Sequence, residues 1–188
     1  MAGKQAKTLT RQQVVAALRR ARRGRYPQRD RVMILLSVKA GLRASEIAKL
    51  SWSMVLDTHR RVADSIELHD NAAKMGGGRT IPLHPDLRRA LQRLRRATGI
   101  EGAVIRSERR GSRGMSPSSI VNWFRQFYAD LGFAGCSSHS GRRTLSPTRL
   151  AWYSRLGEAC VMSSSWRGID QSSKPRRTST TANVLSGG

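Results

Sequence analysis

Residues 41–52 read Gly41-Leu42-Arg43-Ala44-Ser45-Glu46-Ile47-Ala48-Lys49-Leu50-Ser51-Trp52. The stretch holds a stop, a cation and a restart. Gly41 follows a dense apolar run and suits the left-handed residue that closes a helix. Ala44 to Leu50 has the composition of a short new helix, with Trp52 expected to pack behind it. Arg43 falls on the boundary between the two, a place from which a side chain can reach outward. The same segment resembles the turn of a helix-turn-helix, which would make it an element that reads DNA.

Working toward the N-terminus, Arg29 to Ala40 carries Val32, Ile34, Leu35, Leu36 and Val38, the density of a central helix. Before it, Thr10 and Gln13 have the spacing of a capping box, and Leu9 with Val14 that of a hydrophobic staple. The helix they open is expected to turn Val14, Val15 and Leu18 inward and to run out in the basic RRARRGRYP stretch. Residues 1–8 read as a disordered basic lead.

Toward the C-terminus the pattern changes. Val62, Ile66 and Leu68, then Thr80 to Leu83, suggest two short strands flanking the glycine-rich tip Gly76 to Gly78, as in a hairpin. Pro85 opens a helix with Leu87, Leu91 and Leu94 at helical spacing, and Gly99 closes it. Ser116 and Pro117 start another, with Ile120, Val121, Phe124, Phe127, Tyr128 and Leu131 assigned to its inner side. His139 to Thr144 (HSGRRT) begins one more. The fold class expected is mainly α with a small antiparallel β-hairpin.

Composition narrows the partners. The 188 residues suit one domain with a real core, and 35 Lys and Arg against 12 acids give a net charge of +23. Such an excess calls for a polyanion, with nucleic acid the first candidate. Basic residues spread along the whole chain, with no apolar run of spanning length, argue against a membrane partner. Met1 to Thr10 lacks the apolar core of a signal peptide. Cys136 and Cys160 fit neither a metal motif nor a disulfide framework. A cytoplasmic protein is expected.

Four cations sit at element boundaries: Arg43, Lys74 in AAKMGGGRTIPL, and His139 with Arg142 in HSGRR. Converging on one point they would make a phosphate clamp, because Arg offers forked donors and Lys a compact charge that can release a proton. No carboxylate cluster accompanies them, so the chemistry reads as metal-free, with no cofactor. Each residue also has a plain reading. Arg43 would be a solvated or capping residue, Lys74 an exposed loop lysine, His139 a helix cap, and Arg142 and Arg143 backbone-phosphate contacts. Order and context carry the signal.

Together these segments, from about Leu9 to Thr144, resemble the catalytic domain of the tyrosine recombinase (phage integrase) family. Arg43 matches the first catalytic arginine of the family, Lys74 ahead of Arg79-Thr80-Ile81-Pro82-Leu83 its hairpin lysine, and His139 with Arg142 its H-x-x-R box. The resemblance implies DNA strand exchange through a 3′-phosphotyrosine, in which covalent catalysis splits one displacement into two. Arg43 and Arg142 would hold the non-bridging oxygens. Lys74 would protonate the departing 5′ oxygen, and His139 would act as acid–base partner. Arg79 and Arg143 join them as phosphate contacts. Double-stranded DNA is the implied partner, and intact relatives act as homo-oligomers on it. A helix-turn-helix regulator or recombinase remnant that binds DNA without cutting it, and a basic RNA-binding protein, are the competing readings.

The sequence departs from the family after Arg143. The expected G-H box and late tyrosine are missing, Tyr153 lies too close to Arg142, and Tyr128 precedes the box and looks like core. Residues 145–188 show no sustained period. Read one base earlier, however, Cys160 to Thr180 can encode LRDVQQLAGHRSIEQTTPYID, with histidine under Ile169 and tyrosine under Thr178. Residues 145–188 therefore read as an out-of-frame tail after a shift near Leu145 to Pro147. On that reading the domain lacks the helices that cover its core, so Phe124 and Phe127 are expected to be partly exposed. It also lacks its nucleophile and the exchanged segment that links subunits, which puts oligomer formation in doubt. The coding DNA tests the shift directly: codons incompatible with the displaced string would overturn it.

Overall fold

A computed structural model describes residues 6–70, 72, 78–107 and 113–144, all within a compact unit, Met1–Trp152. Residues 1–5 of the basic lead, Lys74 with Gly76 and Gly77, and the whole tail 145–188 with Tyr153 lie outside the described residues.

Helix α2 (Pro27–Val38) is the centre of the fold. Pro27 occupies its first turn, where a missing N–H costs nothing, and Val32 to Val38 are all buried. Each large aliphatic side chain so buried is worth about 1.5–3 kcal/mol. Helix α1 (Arg11–Ala21) packs on one side of it and helix α4 (Pro85–Thr98) on another. At the far end Gly41 takes a left-handed φ of 66°, and the Leu42 N–H returns to the Leu36 carbonyl at 3.1 Å. This bend redirects the chain into helix α3 (Ala44–Lys49), which packs against helix α5 (Pro117–Asp130).

Strands β1 (Ser65–Leu68) and β2 (Arg79–Pro82) pair antiparallel, with Ile66 opposite Ile81 and Leu68 opposite Arg79. Side chains alternate faces along a strand. Arg79 therefore shares the face of buried Ile81, while Thr80 is exposed. The mainly α architecture with one two-stranded antiparallel sheet is the expected fold class.

Local signals behave as read at most boundaries. Thr10 accepts the Gln13 N–H at 3.2 Å while Gln13 Oε1 accepts the Thr10 N–H at 2.9 Å, a complete capping box. Ser116 caps α5, and Gly99 ends α4 at a φ of 75°. Two assignments differ. Val15 and Val121 are exposed rather than inward. On α1 the face against the core belongs to Ala17 and Ala21, with Val14 and Leu18 beside them. The expectation for Phe124 and Phe127 is also corrected, because both are buried. Trp123 stacks on Phe127 at 4.6 Å between ring centroids and meets Phe124 edge-on at 5.0 Å, so the aromatic cluster covers its own members.

The start of the chain is tied to its last described turn. Lys7 N–H donates to the Gly135 carbonyl at 3.0 Å, and Leu9 N–H donates to Thr144 Oγ1 at 2.7 Å. The helical turn 140–144 lies against α2 at Gly141, where an added Cβ would collide with Ser37 Oγ and stand 3.1 Å from Val38. Gly141→Ala is therefore expected to lower stability by about 1–3 kcal/mol. Ser37→Ala removes the atom hit first, so it should cost less in the Gly141→Ala background than in the wild type. A double-mutant cycle by thermal melting checks this; strict additivity would contradict the contact.

Candidate functional site

Glu46 is the hub of the site, and its carboxylate is fully buried. It lies in the first turn of α3, three residues after Arg43, whose extended backbone (φ −75°, ψ 159°) precedes the helix. From there Glu46 Oε2 reaches back to accept the Arg43 N–H at 2.8 Å, and Oε1 accepts from Arg43 Nη1 at 3.2 Å. Strand β2 supplies the next cation. Arg79 forms a two-pronged fork, with Nη1 to Oε1 at 3.1 Å and Nη2 to Oε2 at 3.0 Å. Paired bonds of this kind are the strong ones.

The third cation comes from the HSGRR segment. Arg142 Nη1 stands 4.0 Å from Glu46 Oε2. Four bonds already fill the lone-pair directions of the carboxylate, so Arg142 sits in ion-pair range without sharing one. Three guanidiniums thus meet over one carboxylate, leaving positive charge in excess. The arginine side chains are 34%, 34% and 37% exposed for Arg43, Arg79 and Arg142, against 0% for Glu46. The anion is the floor of the site and the cations are its open face.

Burial by itself would raise the pKa of Glu46. The fork from Arg79, the Arg43 N–H and the two guanidinium charges outweigh it and hold the carboxyl below its ordinary range. The floor therefore keeps its charge in mildly acidic solution.

His139 is exposed, one helical step (i, i+3) before Arg142, and so on the same side of the turn. Its N–H donates to Ser137 Oγ at 3.3 Å and its carbonyl accepts the Arg143 N–H at 3.0 Å. Ser140 braces this turn, because its Oγ accepts the Ser137 N–H at 2.9 Å while its own N–H donates to the Ser137 carbonyl at 2.9 Å. Arg143 is exposed. Lys74 lies outside the described residues, although both strands that carry its hairpin are in place. Tyr128 is fully buried, and burial pushes its phenol pKa well up, as expected of a core residue.

The structure thus brings Arg43, Arg79 and Arg142 together and puts His139 beside the last of them. Glu46 was missed by the sequence reading, and its signal was a glutamate three residues past a helix start. Among the described residues no group of three or more His, Cys, Asp or Glu gathers where it could hold a metal ion. Among them, too, no helix is long and apolar enough to cross a membrane.

Residues 7–151, most of the chain, match the model of the phage integrase family. The chain belongs to the phage integrase family. No curated protein matches it by sequence. Among solved structures, it is similar to the Tn1549 transposon integrase in complex with transposon right end DNA. There the TM-score is 0.56 at 19% identity, over 78% of this chain and 53% of that one. A lambda integrase dimer bound to a COC′ core site matches at a TM-score of 0.58 and 19% identity, over 74% of this chain and 39% of that one. XerA recombinase matches at 0.59 and 17%, over 76% and 50%. At these identities the likeness is one of fold, the tyrosine recombinase catalytic fold. This family member spans about half the length of the solved relatives it matches, 39–53% in these three.

Glu46→Gln removes the charge under three guanidiniums and is expected to cost about 1.5–3 kcal/mol, the scale of hydrogen bonds to a charged group. The sign of its pH dependence follows from the lowered pKa. The contribution is complete above the unfolded-state value and disappears as pH falls through the folded one. Acid melts of the wild type should therefore lose stability across that window, and the Glu46→Gln variant should show a flatter limb there.

Proposed function

We propose that the chain is the catalytic domain of a site-specific DNA recombinase, one that breaks and rejoins strands through a 3′-phosphotyrosine, and that it is inactive as written. The observation that carries the reading is the meeting of Arg43 and Arg142, ninety-nine positions apart in sequence, within 4.0 Å of one buried carboxylate. A phosphodiester is the ligand that suits such a face. Its two non-bridging oxygens match guanidinium forks, and an in-line displacement develops negative charge on them.

In the proposed reaction a tyrosine hydroxyl oxygen attacks phosphorus and the bond to the 5′ oxygen breaks. Arg43 and Arg142 hold the non-bridging oxygens as the pentavalent transition state forms. Lys74 delivers the proton that the departing 5′ oxygen takes up, and His139 exchanges the nucleophile's proton. Rejoining reverses these steps, with a free 5′ hydroxyl as the attacker. Arg79 anchors the floor and, with Arg143, adds charge toward the backbone phosphates. Duplex DNA is the proposed substrate, supported by the excess of 23 positive charges and by the DNA present in the Tn1549 and lambda integrase structures. No metal or cofactor enters these steps.

The nucleophile is what this sequence lacks. Tyr128 is locked in the core, and residues 145–188 read as an out-of-frame stretch in which a tyrosine codon is hidden beneath Thr178. The proposed consequence is a chain that holds DNA without cutting it and does not assemble through an exchanged C-terminal segment.

A nicked suicide duplex tests both halves. The chain as written is expected to yield no covalent protein–DNA adduct; any adduct would refute the inactive reading. The chain restored to the displaced frame after Thr144 is expected to form one. In that background Arg43→Gln or Arg142→Gln should lower the rate of adduct formation by about 10²–10³. An undiminished rate would remove the arginine clamp from the mechanism.

A further inference from the structure

A second gathering of arginines lies at the opposite end of α2 from the Glu46 cluster. Arg22 follows the last turn of α1, Arg31 lies on α2, and Arg93 lies on α4. With Pro27 and Gln28 they line, among the described residues, an open cavity of about 500 Å³. Arg22 and Arg93 are exposed, Arg31 is half-buried, and no carboxylate appears in the lining. The nearest acid in sequence, Asp30, is buried and turned to Arg29, whose Nη2 stands 2.8 Å from its Oδ1.

The contrast with the first cluster is instructive. Three guanidiniums over Glu46 are neutralised in part by an anion of the protein itself. Around the second three, the described lining residues include no carboxylate, although three like charges facing one cavity repel each other. Pro27 and Gln28 begin α2, and the preceding Tyr26 supplies no side-chain cap. Asp30 stands in the first turn of α2 and offsets part of the charge of the helix start, so the cavity's positive character rests on the three guanidiniums. Such a site is short of one component, an anion with several oxygens at forked spacing.

We infer that the cavity lined by Arg22, Gln28, Arg31 and Arg93 is a second phosphate-backbone contact site for nucleic acid, separate from the Glu46 cluster. Helix α2, about 18 Å long, has Arg31 in its first half and the Gly141 turn that carries Arg142 against Ser37 and Val38 at its other end, so the two clusters are distinct patches. Of the polyanions such a surface could meet, nucleic acid is favoured over an acidic protein segment. The whole chain is basic, and guanidinium forks fit phosphate oxygens from a continuous backbone. The inference rests on the DNA-binding part of the proposed function.

The test measures affinity for a duplex across a salt series, using the full chain and two triple variants. Each phosphate contact contributes about 0.9 to the slope of log affinity against log salt. Arg22→Gln, Arg31→Gln and Arg93→Gln combined should flatten that slope by one to three such steps. The corresponding Arg→Lys triple should keep most of it, since the charges remain, and its thermal melt guards against a folding defect. An unchanged slope in the Gln triple, with the wild type still binding duplex, overturns the second site alone. Failure of the wild-type chain to bind duplex at all overturns the proposed function and this site together. Loss of poly-glutamate binding in the Gln triple with duplex binding intact would assign the surface to acidic protein and also overturn the inference. Titration with inorganic phosphate, followed at the arginine side chains by NMR, separates the sources. Shifts that saturate with free phosphate and an unchanged duplex slope would make it a small-anion site and defeat the nucleic-acid assignment.

Discussion

A buried carboxylate surrounded by arginines organises the functional half of this fold. Taking Glu46 out of water costs several kcal/mol unless cations and hydrogen bonds replace its hydration. Arg43 and Arg79 supply both, from the start of α3 and the start of β2, and Arg142 comes within ion-pair range from the turn that ends the described chain. Each arginine belongs to a different element, so the charge under them helps hold those elements in register. In return the anion offsets the repulsion among three guanidiniums that would otherwise splay apart. A face is left that is positive, partly open and fixed in geometry.

That arrangement needs backbone features that side-chain chemistry does not provide. The left-handed Gly41 turns the chain from α2 into α3 and so aims Arg43. Strand alternation puts Arg79 on the same face as Ile81, toward the core, rather than out with Thr80. Gly141 lets the turn bearing Arg142 approach α2 more closely than any side chain would allow. At the other end of α2, Arg22, Arg31 and Arg93 line a cavity whose described lining residues include no carboxylate, whereas the first cluster is built on Glu46.

Much of the fold was legible, for identifiable reasons. The capping box at Thr10, the prolines that open α4 and α5, and the glycines at 41 and 99 are local devices whose partners lie within a few residues. Errors arose where a neighbour decided the outcome. Val15 and Val121 were assigned inward because they are apolar, yet α1 presents its small residues Ala17 and Ala21, which permit close approach. Phe124 and Phe127 were expected to need a missing cover, whereas Trp123, on the same helix, packs against both rings. Glu46 escaped notice because glutamate is usually solvated. Nothing within α3 announces that an arginine thirty-three residues later will fork onto it.

The sequence alone determined the elements, their order, the basic character of the chain and the boundary positions of Arg43, His139 and Arg142, since capping, turn chemistry and periodicity act over a single turn or strand. Which charged groups meet was decided only in three dimensions. Ion pairing depends on distance through space, and the separations of 33 and 96 residues between Glu46 and its partners Arg79 and Arg142 are closed by packing around α2 and not by any local rule.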